Sequence, residues 1–370
     1  MMKTFGAILL MLLTAFAPLY FAQQRAATVT ASAKAITPDS VVLYSRVRIV
    51  AAGDLMQHTP QILAAKSADG YDYRPTFRHV AHHFRNADIA IVNLETTLSN
   101  EGPYKGYPCF RSPRQVAEAM KDMGVDVVAL ANNHCCDQSS RGINSTIGII
   151  DSLEMQHIGV FRDSIDYKSN NICYLNHCNI SFAIVNYTYG TNGLPTPKGK
   201  IVNRIDTVAM ARDFAEIAKV NVDCVIAVMH WGEEYQRKPN VTQLRLEKFM
   251  RRKGVDIIIG SHPHVIQPAT YDPEQGITLY SLGNFVSNQS KRYTDGGLIA
   301  VIDVTRIADE PLRYSLELIP VWVWRPTYTL IPPTIGDTLK LRVADRRAYN
   351  IFIGDVKKMH PTAATSRLLQ

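Results

Sequence analysis

No two of the six cysteines in this 370-residue chain stand in Cys-x-x-Cys spacing, which excludes a thiolate zinc cluster. No G-x-S-x-G elbow occurs, so the common serine-hydrolase arrangement is missing as well. The stretch after the first strand-like run, "AAGDLMQHTPQ", holds one glycine, too few for the loop that cradles a nucleotide phosphate on a helix N-terminus. A binding module for a small phosphorylated ligand is disfavoured for the same reason. Internal repeats and low-complexity blocks are absent. The net charge of +7 is not gathered into one basic face: Lys3, Arg25, Lys34, Arg46 and Arg48 fall near the start, and the rest is scattered. The densest group, Arg251 to Lys253, reads as the last turn of a helix, where cations suit the helix dipole. Nucleic-acid binding has no support beyond net charge.

What is present begins with a leader. Lys3 precedes an apolar run from Phe5 to Ala22, and Gln23, Gln24 and Arg25 follow, the layout of a secretory signal or a short membrane anchor. The expected organisation is a leader over 1–22, a linker over 23–44, a folded body over 45–330 and a C-terminal extension over 331–370 with one short helix. The expected location is outside the cytoplasm, periplasmic or membrane-anchored. Such a compartment permits disulfides. Cys173 and Cys178 could close a hairpin, and one of Cys135 and Cys136 could reach Cys109, but nothing in the spacing demands either; Cys224 reads as a buried thiol.

With 46% apolar and 20% charged residues the body is ordinary globular protein. Apolar runs of strand length alternate with helical stretches, which predicts an α/β fold. Both "MKDMGVDVV" and "MRRKGVDIIIG" show a helix stopped by glycine before a buried strand. After Asn284 the pattern changes to "GGLIAVIDVTR", "RYSLELIPVWVW" and "TYTLIPP", read as antiparallel strands that complete or flank the sheet.

Six of the strand-like runs end on polar or metal-binding side chains: Asp54, Glu95, Asn133 with His134, His230, His262 with His264, and Asn284. Ligands bind at the carboxyl ends of strands in open α/β sheets, so these residues are predicted to converge. Two carboxylates, an amide and three imidazoles make a donor set suited to Mn, Zn, Fe or Mg, with one or two ions. A pair of ions generates a hydroxide nucleophile and stabilises displacement at phosphorus. His134 is then the natural general acid for the leaving oxygen. Taken singly, Asp54 would be a turn or cap residue and His230 a packed histidine. His262 and His264 flank Pro263, and in an extended segment alternate side chains would face one point. His79, His82 and His83 are assigned to a helix surface; His157 and His177 carry no signal.

The strings "GDLM", "ADIAIVNLETTLS", "ANNHCCDQ", "VMHWGEEY", "GSHPHVIQP" and "YSLGNFVSN", in that order over about residues 47–290, resemble the CapA capsule-synthesis family, associated with poly-γ-glutamate and built on a metallophosphatase-like fold. The resemblance implies a four-layer α/β/β/α sandwich of the calcineurin-like kind. It also implies a cell-surface role and a divalent metal held by Asp54, Glu95 as the bridging acid, Asn133, His230, His262 and His264. Where a phosphatase normally carries histidine two residues after the first aspartate, this chain has Met56, a poor ligand for hard metals; His58 is a candidate replacement. Glu95 stands where aspartate is usual, and Asn132 replaces a glycine. The expected substrate is a phosphoester or an anionic surface polymer, with Glu233, Glu234, Tyr235 and Asn284 as substrate contacts and membrane synthase subunits as partners. The alternative is a non-catalytic subunit that binds the polymer or anchors a synthase.

Overall fold

The computed structural model describes residues 44–362; the leader at 1–22, the linker up to residue 43 and residues 363–370 lie outside the described residues. Among the described residues no helix is long and apolar enough to cross a membrane.

The strand Tyr44–Leu55 shows how the sequence dictates the layering. Val47, Ile49 and Ala51 enter one core while Val50 and Ala52 enter another, the period-two alternation of a strand that is apolar on both faces. Such a strand must be covered twice. It lies centrally in an eight-stranded sheet, parallel to Ile89–Leu94 and antiparallel to Gly296–Ile307. Val127–Ala129 and Gln156–Ile158 extend the parallel side. Arg313–Trp324 and Thr329–Ile331 extend the antiparallel side, as the late part of the sequence predicts. A second, six-stranded sheet has a parallel centre of Ile180–Thr188, Cys224–His230, Ile257–Ser261 and Gly276–Leu279.

Ile49, Ile89 and Ile302 of the first sheet share a core with Phe182, Ile226 and Ile259 of the second, so the sheets pack face to face. Helices Gln115–Met123 and Ser139–Ser152 cover the outside of the first through Val116, Met120, Ile147 and Ile150. Thr207–Val220 and Val241–Arg252 cover the second through Met210, Phe214, Leu246 and Met250. The result is the four-layer α/β/β/α sandwich. Gly124, at φ +105°, ends the first of these helices, and Gly254, at φ +84°, follows the last, as the glycine-before-strand pattern requires. Beyond residue 330 the chain contributes more than a short helix: Val343–Met359 runs 17 residues and buries Tyr349, Phe352, Ile353 and Val356 in the core between the sheets.

Hydrogen bonds between Asp54 and His264 and between His230 and Asn133 tie the carboxyl ends of the two sheets together. Gly53 makes this closure sterically feasible. A Cβ there would lie 2.1 Å from the carbonyl oxygen of Gly283, the group that accepts the Asp54 N–H at 3.0 Å. Gly53→Ala is therefore expected to cost about 1–3 kcal/mol, the usual penalty for overpacking. A urea midpoint lowered accordingly is the expected result, and an unchanged midpoint would show that the contact relaxes.

Candidate functional site

Asp54 ends the first strand and is fully buried. Its carboxylate accepts from Asn93 Nδ2 at 2.8 Å and from the His262 N–H at 3.2 Å, and Oδ2 lies 3.1 Å from His264 Nδ1. Burial works against ionisation here. The hydrogen bond to His264 and the neighbouring imidazoles outweigh it, and the carboxyl is held below its ordinary value.

Glu95, just beyond the strand Ile89–Leu94, is in the opposite condition. Both carboxylate oxygens are buried with no donor to accept from, and the neighbouring Asp54 carboxyl can share a hydrogen bond with Glu95 only through a proton. Oε1 stands 3.8 Å from His230 Nε2 and 3.8 Å from His264 Nε2, beyond hydrogen-bonding range. Burial, and then the charge of Asp54, raises its pKa well above that of an ordinary carboxyl. An orphaned buried polar group costs about 1–3 kcal/mol, and more when charged, so a cation or a proton is needed to relieve it. Ligand atoms of Asp54, Glu95 and His230 all lie within 4.8 Å of one another. Burial lowers the pKa of His230 well below the usual value and that of His262 to about 3, which leaves both rings neutral with lone pairs to offer. His262 Nδ1 is also buried without a partner. Carboxylate and neutral imidazole donors that lack protein partners fit a divalent first-row ion.

Asn133 is brought to the same point, its Oδ1 3.0 Å from His230 Nε2. His262 and His264 converge, although not by the extended backbone expected from the sequence. Both have positive φ, +98° and +56°, so the Ser-His-Pro-His turn folds back on itself and sets the ring centroids 6.0 Å apart. A histidine in the left-handed region is strained and persists only where its surroundings impose it.

His134 lies beside the cluster. Its Nδ1 is 2.8 Å from Asp137 Oδ2, which also accepts the Phe110 N–H at 2.7 Å, and its Nε2 is 3.5 Å from Asn192 Nδ2. Met56 is buried, with its backbone N–H bonded to Val286. His58 starts the short helix Thr59–Ala64; its Nδ1 is 3.2 Å from Gln61 Oε1 and 3.4 Å from the Asn288 N–H, and its ring lies edge-on to Phe110. That nitrogen is engaged away from the acid–imidazole cluster.

The four substrate-contact candidates separate. Glu234 is exposed and Tyr235 is half-buried, its ring 6.2 Å from that of His264. Glu233 accepts from Asn240, the cap of the helix that follows. Asn284, paired in register with Asp54, is fully buried and turned to the protein: its Nδ2 donates to Gln289 Oε1 at 3.0 Å and to Thr294 O at 2.8 Å. It anchors a loop, and only its unpartnered Oδ1 is left over.

Sequence reasoning missed Asn93, Asp137, Tyr189 and Asn192. Asp137 had a signal, the His-x-x-Asp spacing within "HCCD", and Asn93 is two residues from Glu95. Tyr189, whose ring lies 4.4 Å from that of His262, and Asn192 sit in an irregular loop that no periodicity marks. His157, which carries no signal in the sequence, is buried between Asp151 and Asp166. The disulfides considered from the sequence do not form; all six thiols are free, and Cys178 is exposed while Cys224 is buried.

Residues 48–289 match the family model described as bacterial capsule synthesis protein PGA_cap. The chain is 32% identical over 289 residues to the capsule biosynthesis protein CapA of Bacillus anthracis, covering 74% of this chain and 68% of that protein. It is 30% identical over 263 residues to the PGA biosynthesis protein CapA of Bacillus subtilis, covering 67% and 65%. Similar solved structures include a putative 5′-nucleotidase from Staphylococcus aureus, with TM-score 0.49, 15% identity and coverage of 84% of this chain and 58% of that one. Another is the calcineurin-like phosphoesterase YfkN from Bacillus subtilis, with TM-score 0.45, 13% identity and coverage of 86% and 97%. On the extent of the family match and the identity to the Bacillus anthracis protein, the chain belongs to the bacterial capsule synthesis protein family PGA_cap.

Proposed function

We propose that this protein is an exported, metal-dependent hydrolase or transferase acting on a phosphoester or on a γ-glutamyl polymer of the cell surface. The observation that supports this most is the Glu95 carboxylate, buried with no donor to accept from and 3.8 Å from each of two imidazole nitrogens. Asp54, Glu95, Asn133, His230, His262 and His264 would hold the ion. When bound, a divalent cation lowers the pKa of a water and polarises the group under attack.

The chain's own residues supply the rest. Asp137 accepts from His134 Nδ1–H and fixes the ring, so that Nε2 of the imidazolium hands its proton to the leaving oxygen. Asn192 borders that nitrogen at 3.5 Å. Tyr189 lies across His262 and stacks at 6.2 Å on His230, limiting the water that reaches the imidazoles. The names of the two Bacillus relatives, which refer to capsule and PGA biosynthesis, support a polymer over a small phosphoester. Membrane synthase subunits are the partners this reading expects.

Met56 supplies no hard donor, which favours a single ion; His58 turns Nδ1 to Gln61 and Asn288 and has only Nε2 left to offer. His58→Ala is expected to keep the metal ratio at about one ion per chain. A fall in that ratio would put His58 among the ligands. The activity itself is tested with an aryl phosphodiester and added Mn. The wild type turns it over, and Asp54→Ala and His262→Ala lose turnover while keeping the fold. A folded wild type with neither metal nor turnover would leave the non-catalytic polymer-binding or synthase-anchoring subunit, the reading that Met56 favours.

A further inference from the structure

Two loops beside the metal cluster carry cations stacked on tyrosines. In the first, the Tyr235 N–H donates to Pro263 O at 2.8 Å, which fixes Tyr235 against the His-Pro-His turn with its ring 6.2 Å from His264. In the second, Lys291 sets its Nζ 3.7 Å from the centre of that same Tyr235 ring. The Arg237 guanidinium lies 4.2 Å over Tyr293, and Arg292 lies 4.1 Å from the same ring.

The second loop is held firmly. Asn284, the register partner of Asp54, bonds both Gln289 and Thr294, and Arg325 donates to Gln289 O at 3.3 Å. The position of Lys291 is therefore tied to the strand end that bears Asp54.

The charges are unequally satisfied. Arg292 pairs with Asp355. Lys291 forms no ion pair among the described residues, whereas Arg237 turns its Nη2 to Asp355 O at 3.4 Å and to Met359 Sδ at 3.9 Å. Glu234, hydrogen-bonded to Tyr235, is the acid at this lip. A tyrosine face holds an ammonium in place without neutralising it. The exposed Lys291 is thus held on the Tyr235 ring, which neighbours His264, and is available to an anion arriving at the metal site.

We infer that Lys291, steadied on Tyr235, forms an anion-binding subsite that takes the free α-carboxylate of a γ-linked glutamyl chain lying across the mouth of the metal site. The choice of a carboxylate polymer rests on the proposed function; the subsite itself rests on the unpaired Lys291 ammonium and its place on the Tyr235 ring, which lies 6.2 Å from that of His264.

The test is equilibrium binding of a fluorescein-labelled γ-glutamyl oligomer, read by anisotropy at low and at physiological salt, with metal content measured on the same samples. Lys291→Ala is expected to weaken binding about threefold, as befits one exposed charge pair, and Lys291→Glu by about tenfold or more. The salt dependence of the variants should be shallower than that of the wild type, since a screened contact has been removed. Metal content should not change. Equal affinity of wild type and Lys291→Glu would overturn the proposal, as would a wild type that does not bind the oligomer. Polyphosphate of equal charge displacing the oligomer at equal concentration would overturn the carboxylate assignment. Loss of metal from the wild type with oligomer binding intact would sink the hydrolase reading and leave the subsite standing, so the two failures are distinguishable.

Discussion

Glu95→Gln is expected to strip the protein of its metal without unfolding it. The substitution is nearly isosteric and replaces a fully buried carboxyl, whose oxygens have no donor to accept from, with a neutral amide. Burial and the Asp54 charge hold the metal-free Glu95 carboxyl toward its neutral form, which the amide mimics, so the metal-free variant should be as stable as the metal-free wild type or more so. Metal affinity moves the other way. Outer partners of metal ligands typically cost about 10–100-fold when mutated, and a ligand placed between two imidazoles should cost more. Thermal unfolding with and without Mn separates the two effects: Mn should raise the wild-type midpoint and leave that of Glu95→Gln unmoved, because an ion stabilises only what binds it. A variant that still gains stability from Mn would move the site away from Glu95.

The second large effect belongs to His134. As the general acid it should be worth about 10²–10⁴-fold in turnover, while metal content stays at the wild-type level because His134 is beside the cluster and not in it. The loss should depend on the leaving group: a nitrophenolate departs without protonation, so His134→Asn should be nearly silent on that ester and severe on an alkyl ester. Asp137→Asn should show the same dependence in milder form, since Asp137 fixes His134 through a 2.8 Å contact. If Asp137→Asn lowers both esters equally, Asp137 is holding the loop through the Phe110 N–H and not the proton.

Much of this site was legible because strands end where their alternation ends. Asp54, Glu95, His230 and His262 each follow a run of buried apolar residues, and a parallel sheet delivers such positions to one edge. The face-to-face packing followed from the same strands, whose two faces are both apolar. What the sequence concealed was set by backbone outside the strands. The convergence of His262 and His264 depends on two positive φ angles that no residue type announced, histidine being an uncommon occupant of that region. Tyr189 and Asn192 reach the site from an irregular loop. Asn284 shared the strand-end signal of the ligands, yet its amide is directed into the loop at 289–294, because a signal of position carries no information on rotamer. The helix Val343–Met359 exceeds the short helix that the sequence predicts because its buried stripe is sparse, four apolar side chains among charged neighbours.

Elemental analysis of the wild-type protein, purified without chelator or affinity metal and checked for fold by circular dichroism, tests the metal site most directly. The expected result is about one divalent first-row ion per chain, lost in Glu95→Gln under the same handling. A folded wild type that carries no metal, and that takes up none from Mn, Zn, Fe or Mg, would contradict it.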